Sequence, residues 1–161
     1  KDPNWNFLTF NADRDIPLAT KMDEGLINAT DPNLKPFADR NGKLLVYHGW
    51  ADQVLGSQHS VNYYSRVVQA LGEETTRRTV RLFMAPGMTH CGGGEGPSTF
   101  DVVSVLEQWV EQGKAPDQIV ASRITDGKVD RTRPLCAYPQ VAVYSGTGST
   151  DDSQNFSCKR P

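Results

Sequence analysis

The sequence predicts an α/β fold built on parallel strands, and the order of its apolar segments supports this. Two short apolar runs, "GKLLVYHG" at 42–49 and "TVRLFMAPG" at 79–87, end in glycine or proline, which is typical of strands buried on both faces. Each run is followed by a segment with apolar residues at helical spacing, at 60–72 and at 98–113. Alternation of strand and helix favours a parallel sheet. Because two strands are fewer than such a sheet needs, we expect this chain to hold only part of it.

The two predicted helices carry signals at both ends. In the first, Ser60 is available as the N-cap and Gly72 as the C-terminal stop. In the second, Ser98 and Asp101 resemble a capping box, and Gly113 ends the pattern. These elements form the core that we predict at 41–122.

The segments outside this core are rich in turn-forming residues. Residues 1–40 carry several proline, asparagine and aspartate signals, so we expect a loop-rich lead-in around one or two short helices. Residues 123–161 form a tail whose middle part, "SGTGSTDDSQNFS", has little to bury. We expect a disulfide to hold this tail.

Composition excludes two classes of partner. The formal net charge is −2, and the 17 basic residues are scattered rather than gathered on one face, which argues against nucleic acid. No apolar run approaches the roughly 18 residues that span a bilayer. The N-terminus has neither a signal-peptide pattern nor an initiator methionine, and we interpret it as a cut end.

Three cysteines and two glycosylation sequons suggest an oxidising environment. Cys136 and Cys158 flank the flexible part of the tail, which would gain order from a bridge between them. Cys91 is then left over, and in a secreted protein it would need a partner outside this chain. The potential N-glycosylation sites are Asn28 and Asn155.

An acid and a histidine follow the two predicted strands. In α/β enzymes, functional groups gather beyond the carboxyl ends of the strands, where this chain places Asp52 and His90. If the strands are neighbours, the carboxylate can accept a hydrogen bond from one ring nitrogen, which is the orienting half of a catalytic triad. Acid before histidine is also the chain order of α/β-hydrolases, in which the nucleophile precedes both.

The sequence offers no convincing nucleophile. It contains no G-x-S-x-G, and Ser57 and Ser145 lie in glycine-containing loops without the required strand-turn-helix context. Cys91 directly follows His90, and adjacent side chains tend to point apart, so we disfavour a cysteine nucleophile.

Four further residues have two interpretations each. His48 could approach the site, but we favour a hydrogen-bonded structural role, and we expect His59 on the surface. Trp50 and Met88 are candidates for lining a substrate pocket, with core packing as the default for both.

Several segments together resemble the C-terminal part of the tannase and feruloyl esterase family, a group of secreted, mostly fungal esterases. The segments are "YHGWADQ", "APGMTHCGGGEGP", "LEQWVEQGKAPDQIVAS", "RPLCAYPQVAVYSG" with the later "NFSC", and "INATDPNL" near the front. The likeness covers most of the chain. It implies that residues 1–161 are the C-terminal part of one α/β-hydrolase catalytic domain.

The resemblance also implies roles for individual residues. Asp52 takes the acid role, His90 is the general base, and Cys91 forms a disulfide with a cysteine beside the catalytic serine. The serine, the oxyanion-hole donors and a lid domain with a structural calcium site are expected upstream, on an N-terminal chain of the same esterase. We expect no cofactor or metal in this chain itself.

These observations lead to a functional hypothesis with two alternatives. We expect a secreted serine carboxylesterase that hydrolyses phenolic acid esters, with feruloyl (hydroxycinnamoyl) esters of plant cell-wall sugars as the first choice. A tannase acting on galloyl esters is the runner-up, because specificity in the family resides largely in the lid. The alternative of another class is a non-catalytic, disulfide-stabilised subunit or binding module.

Overall fold

The computed structural model describes residues 2–161. They divide into two compact units, one that ends at Asp31 and one that spans Pro32–Pro161. The first unit contains a 3₁₀ helix at Phe7–Thr9 and helix α1 at Ala12–Asp23. Asn11 caps α1, since its side-chain oxygen accepts a hydrogen bond from the amide of Arg14 at 3.0 Å. Loops connect these two helices and follow them up to Asp31.

The second unit begins with five elements, of which all but the first lie within the predicted core. They are helix α2 (Lys35–Asp39), strand β1 (Leu44–Gly49), helix α3 (Gln58–Leu71), helix α4 (Glu73–Thr79) and strand β2 (Val80–Ala85). Strands β1 and β2 pair in parallel, and Gly49 lies opposite Ala85 at their carboxyl ends. The two predicted strands are therefore neighbours, and the loops that follow them leave the sheet side by side.

The remaining elements include four strands that the sequence analysis did not predict. They are helix α5 (Val102–Gln112), strands β3 (Gln118–Thr125), β4 (Lys128–Cys136) and β5 (Val141–Tyr144), a 3₁₀ helix (Ser153–Asn155) and strand β6 (Phe156–Lys159). β3 and β4 form one antiparallel hairpin, and β5 and β6 form another pair. The first hairpin extends across residue 122, so regular structure continues from the predicted core into the predicted tail.

The main hydrophobic core lies between β2 and the β3–β4 hairpin. Every residue of β2 is buried. The residue after β4 returns to this strand, because Ala137 bridges Phe83 and the amide of Tyr138 donates to the carbonyl of Leu82 at 2.8 Å. The buried cluster consists of Phe83, Ala85, Met88, Ile119, Ala121 and Leu135. This packing fixes the end of β2, where the loop that carries His90 begins.

The helix caps confirm the predicted stops and correct the predicted starts. Helix α3 ends at Gly72 as predicted, but it begins at Gln58, so Ser60 lies inside the helix. Helix α5 starts later than predicted, because the amide of Ser98 donates to the carbonyl of Ser122 on β3. Asp101 is itself the N-cap, and its carboxylate accepts from the amide of Ser104 at 3.0 Å.

The predicted disulfide between Cys136 and Cys158 is present and joins the end of β4 to β6. Cys91 is free and exposed. Within residues 2–161, no helix combines the length and the apolar character that crossing a membrane requires.

Candidate active site

Two loops at the carboxyl ends of β1 and β2 form the candidate active site, and backbone hydrogen bonds join them. The amide of Trp50 donates to the carbonyl of Ala85 at 3.0 Å, and the amide of Ala51 donates to the carbonyl of Met88 at 3.1 Å. The loop that carries Asp52 is therefore attached to the loop that carries His90. Because these hydrogen bonds hold one loop against the other, the pairing of β1 and β2 determines how the side chains of Asp52 and His90 lie relative to each other.

The carboxylate of Asp52 is almost completely enclosed, since its side chain is only 2% exposed. Its Oδ1 accepts hydrogen bonds from the amides of Val54 and Leu55 at 2.8 and 2.9 Å. Its Oδ2 lies 2.9 Å from Nδ1 of His90 and 2.9 Å from Nε2 of His48. Two amides and two imidazoles thus surround one carboxylate.

These contacts control the protonation of Asp52. Burial by itself raises the pKa of the carboxyl group, but the hydrogen bonds from His90, from the two amides and from His48 outweigh it and hold the pKa well below its usual range. Asp52 is therefore an anion at neutral pH, which suits a residue that orients an imidazole and stabilises its charged form.

The ring of His90 is partly exposed to solvent. Its side chain is 39% exposed while Nδ1 is bonded to Asp52. An ionised carboxylate only accepts hydrogen bonds, so Nδ1 carries the hydrogen and Nε2 is left with a lone pair. The hydrogen bond to Asp52 uses Nδ1 only, so it leaves Nε2 available to another group. The arrangement can accept a proton from a group that approaches the exposed ring.

His48 belongs to the same network. Its side chain is 14% exposed, and its Nδ1 lies 2.8 Å from the hydroxyl oxygen of Ser60 in the first turn of α3. The ring is hydrogen bonded, as expected, but one of its partners is Asp52, so His48 also approaches the site, which was the less favoured alternative. His59 is exposed, as predicted.

The glycine-rich loop after His90 folds back closely on itself. The amide of Gly96 donates to the carbonyl of Gly87, and Met88 bridges Gly94. A Cβ at Gly94 would lie 2.1 Å from the carbonyl oxygen of Gly87, and one at Gly96 would lie 2.0 Å from that of Pro86. Glycine is required here for close backbone approach as well as for positive φ, which is 90° at Gly94.

Cys91 lies in this loop directly after His90. Its φ of 60° is in the left-handed region, which is uncommon for a residue with a side chain. Its thiol is exposed and forms no disulfide with the other two cysteines.

The two pocket candidates have different environments. Met88 is 1% exposed and packs in the main core, which favours the packing role over a pocket role. Trp50 is 43% exposed and lines a cavity of about 510 Å³ together with Glu95 and Arg133. An open aromatic side chain beside a cavity is compatible with the pocket role.

The asparagines of the two glycosylation sequons differ in exposure. Asn28 is exposed in the first unit. Asn155 is half-buried, and its amide nitrogen donates to the carbonyl of Ser149 at 2.9 Å. Glycosylation of either residue remains a prediction.

The described residues, 2–161, contain no group of three or more acidic, histidine or cysteine side chains placed to hold a metal ion. The calcium site implied by the resemblance was expected upstream of this chain, so no step of the chemistry below depends on it.

Comparison with known proteins identifies the family. The profile described as "Tannase and feruloyl esterase" matches residues 1–159. The chain belongs to this family. Its fold class is that of part of an α/β-hydrolase, as the sequence predicted.

Individual relatives agree with this assignment. A mono(2-hydroxyethyl) terephthalate hydrolase of Piscinibacter sakaiensis is 43% identical over 136 residues, which cover 83% of this chain and 22% of that protein. A probable feruloyl esterase B-2 of Aspergillus terreus is 34% identical over 98% of this chain and 33% of its own length. The crystal structure of an esterase from Aspergillus oryzae superposes with a TM-score of 0.88 at 32% identity, covering 98% of this chain and 35% of the other. The chain therefore spans about a third or less of these proteins.

Proposed function

We propose that this chain supplies the acid and the general base of a Ser-Asp-His triad in a carboxylic ester hydrolase. The observation that carries the proposal is the 2.9 Å contact between an enclosed, ionised Asp52 and Nδ1 of a partly exposed His90. Membership of a family of esterases supports the same reaction class. The nucleophilic serine is expected in a part of the enzyme outside these 161 residues.

The geometry of the pair defines what each residue does in this reaction. The serine attacks the ester carbonyl while Nε2 of His90 accepts its proton, and Asp52 stabilises the resulting imidazolium through Nδ1–H. His90 then gives this proton to the leaving alcohol. In the second half, Nε2 accepts a proton from water, which hydrolyses the acyl-enzyme, and returns it to the serine.

The proposed substrates are feruloyl esters of plant cell-wall sugars. The name of the Aspergillus terreus relative supports this choice, and the family description supports galloyl esters as the alternative. The relative from Piscinibacter sakaiensis is named for a terephthalate monoester. All three are esters of aromatic carboxylic acids, and this shared chemistry defines the panel of substrates to test.

Cys91 is the proposed covalent link to the rest of the site. Its exposed thiol beside His90 is placed to form a disulfide with a cysteine next to the serine, on an N-terminal chain of the same esterase. Secretion and a calcium-binding lid on that chain belong to the same proposal. Electrophoresis of the native protein should show a heavier species that releases this chain on reduction. A single 17.8 kDa species under both conditions would contradict the link.

The triad assignment is tested by His90→Ala in the assembled enzyme, with His59→Ala as the matched control at an exposed histidine. We expect turnover of methyl ferulate, methyl gallate and mono(2-hydroxyethyl) terephthalate to fall by about 10⁴-fold or more in the first variant only. Substantial turnover in His90→Ala would contradict its role as base. Binding without hydrolysis of any of these esters by the unmodified enzyme would favour the non-catalytic alternative.

A further inference from the structure

The carboxylate of Asp52 has more hydrogen-bond donors than orienting one histidine requires. Its Oδ2 contacts two imidazoles at the same distance, 2.9 Å, from Nδ1 of His90 and from Nε2 of His48. The second imidazole comes from within strand β1, whereas the first comes from the loop after β2. Neither the reaction above nor the resemblance assigns a role to this second contact.

The charge of Asp52 determines which atoms of His48 carry hydrogen. A carboxylate held as an anion can only accept, so Nε2 of His48 must donate to it. In the neutral ring, Nδ1 then has a lone pair and accepts the hydroxyl hydrogen of Ser60 at 2.8 Å. A continuous series of hydrogen bonds therefore runs from Ser60 on α3 through His48 and Asp52 to His90.

This series joins separate parts of the fold to the site. Ser60 is fixed in the first turn of α3, and His48 is the second-last residue of β1. Both are at least half-buried, so water competes weakly for their hydrogen bonds. The hydrogen bond between Ser60 and His48 therefore joins a helix to a strand. Rigid elements of this kind are the usual support that holds a catalytic side chain in one orientation.

We propose that His48, oriented by Ser60, is a positioning residue that holds Oδ2 of Asp52 toward His90 and shares its negative charge. The proposal rests on the proposed function, because it assumes that His90 is the base. Without the donor from His48, the carboxylate gains freedom to rotate about its side-chain bonds. One donor fewer then shares its charge, which strengthens its attraction for the charged form of His90.

Hydrogen bonds connect three ionisable side chains in this network. Among residues 2–161, His48, Asp52 and His90 are the ionisable side chains that the hydrogen bonds connect. Met84, opposite His48 on β2, and Ser60, on α3, are both uncharged at every pH of interest. A change in the pH profile on altering His48 is therefore read against the parent enzyme and the His59 control.

The experiment compares His48→Leu with His48→Gln in the assembled enzyme, with His59→Leu as the matched control. The amide nitrogen of glutamine can donate where Nε2 of His48 does, whereas leucine fills the space without a donor. We expect kcat to fall about 10-fold to 100-fold in His48→Leu with KM unchanged, and the acid limb of kcat/KM to move to higher pH. His48→Gln should recover most of both effects.

The outcomes separate this proposal from the proposed function. Equal losses in the leucine and glutamine variants, or an unmoved acid limb in His48→Leu, would overturn the positioning role. A loss in His48→Leu no larger than in His59→Leu would do the same while leaving His90 as the base. If His90→Ala retains turnover, the proposed function itself fails, whatever the result at residue 48.

Two further measurements keep the test decisive if His48→Leu does not fold. Ser60→Ala removes the hydroxyl donor but favours the helix, and it should shift the acid limb in the same direction by a smaller amount. Nitrogen-15 NMR of the histidine rings should show hydrogen on Nε2 of His48. A His48 ring with hydrogen on Nδ1 alone would overturn the proposal without reference to activity.

Discussion

Gly49 and Met88 approach each other so closely that a Cβ on residue 49 would lie 2.1 Å from the carbonyl oxygen of Met88. The same carbonyl accepts the hydrogen bond from Ala51 at 3.1 Å. The loop after β1 therefore passes against the backbone of the loop after β2, three residues before Asp52 and two before His90. A glycine at the end of β1 is what permits this approach.

Gly49→Ala should consequently reduce activity without direct contact with the triad. The new methyl group meets backbone atoms, which cannot move aside as a flexible side chain does. The two loops must separate, and a displacement of about 1 Å at a catalytic pair costs on the order of 100-fold in rate. Steady-state kinetics on an aromatic ester measures the loss, and urea unfolding measures the accompanying destabilisation.

Gly56→Ala is the control for this prediction. Gly56 lies in the same loop, but a Cβ there would have only the side chain of His59 near it, at 3.8 Å. We expect kinetics and stability close to those of the parent enzyme. Comparable losses in both variants would show that general loop flexibility, and not the contact with Met88, limits activity.

The pairing of Asp52 with His90 could be predicted from sequence because it depends on topology. Two strands that are adjacent and parallel must end at the same edge of a sheet, so residues just after them meet. The contact of His48 with Asp52 could not be predicted in this way. It depends on side-chain rotamers and on which residue of α3 faces β1, and neither leaves a signal in apolar periodicity.

The β3–β4 hairpin has a sequence signal at its turn that is strong enough to predict it. Its two-residue turn is Asp126-Gly127, with φ of 51° and 75°, and Asp-Gly between strand-like segments is a strong hairpin indicator. Buried and exposed residues alternate clearly only near Ile119 and Ala121, where β3 meets the core. Their outer ends are charged and exposed, which weakens the period of two that identifies a strand.

The sequence predicted only one of the two reasons for the glycines after His90. The sequence indicates that the loop can adopt positive φ, and this is observed at Gly92, Gly93 and Gly94. The close contacts of Gly94 and Gly96 with the backbone of residues 86–87 depend on how the loop folds back. A glycine needed for space and a glycine needed for conformational freedom look identical in the sequence.

Asp52→Asn should abolish most of the activity while retaining the fold. The amide keeps an oxygen for the amides of Val54 and Leu55, but it presents NH₂ to the two imidazoles. His90 must then place its hydrogen on Nε2 to accept from this group at Nδ1, and a base with the wrong tautomer loses about 10⁴-fold in kcat. Asp126→Asn, at the exposed hairpin turn, is the control and should match the parent. A loss of less than about tenfold in Asp52→Asn would contradict the acid role.

The disulfide between Cys136 and Cys158 should contribute substantially to stability. It closes a loop of residues 22 positions apart, for which the restriction of the unfolded chain is worth about 3 kcal/mol. We expect this decrease in the free energy of unfolding for Cys136→Ala with Cys158→Ala, measured by urea denaturation in a Cys91→Ala background. Reductant should destabilise the Cys91→Ala parent by a similar amount and leave the triple variant unchanged. A reductant effect on the triple variant would contradict this assignment.

The ion pair between Asp130 and Arg123 across the β3–β4 hairpin should make stability depend on pH in acid. The hydrogen bond from Arg123 outweighs the opposing effect of burial and, with the hydroxyl of Thr125, lowers the pKa of Asp130 to about 2. Because the pKa is lower in the folded state than in the unfolded state, where it is about 3.9, the unfolded chain binds more protons between these values. The stabilisation is complete above about pH 4 and is lost as the pH falls toward 2.

Asp130→Asn removes this contribution, so the variant should be less stable than the parent at neutral pH, and the difference should shrink below about pH 4. Urea unfolding at a series of pH values from neutral to acid measures the difference directly. Asp126→Asn, in the exposed turn of the same hairpin, is the matched control and should follow the parent throughout. A difference between Asp130→Asn and the parent that stays constant with pH would show that the carboxylate acts through shape and hydrogen bonding alone, without its charge.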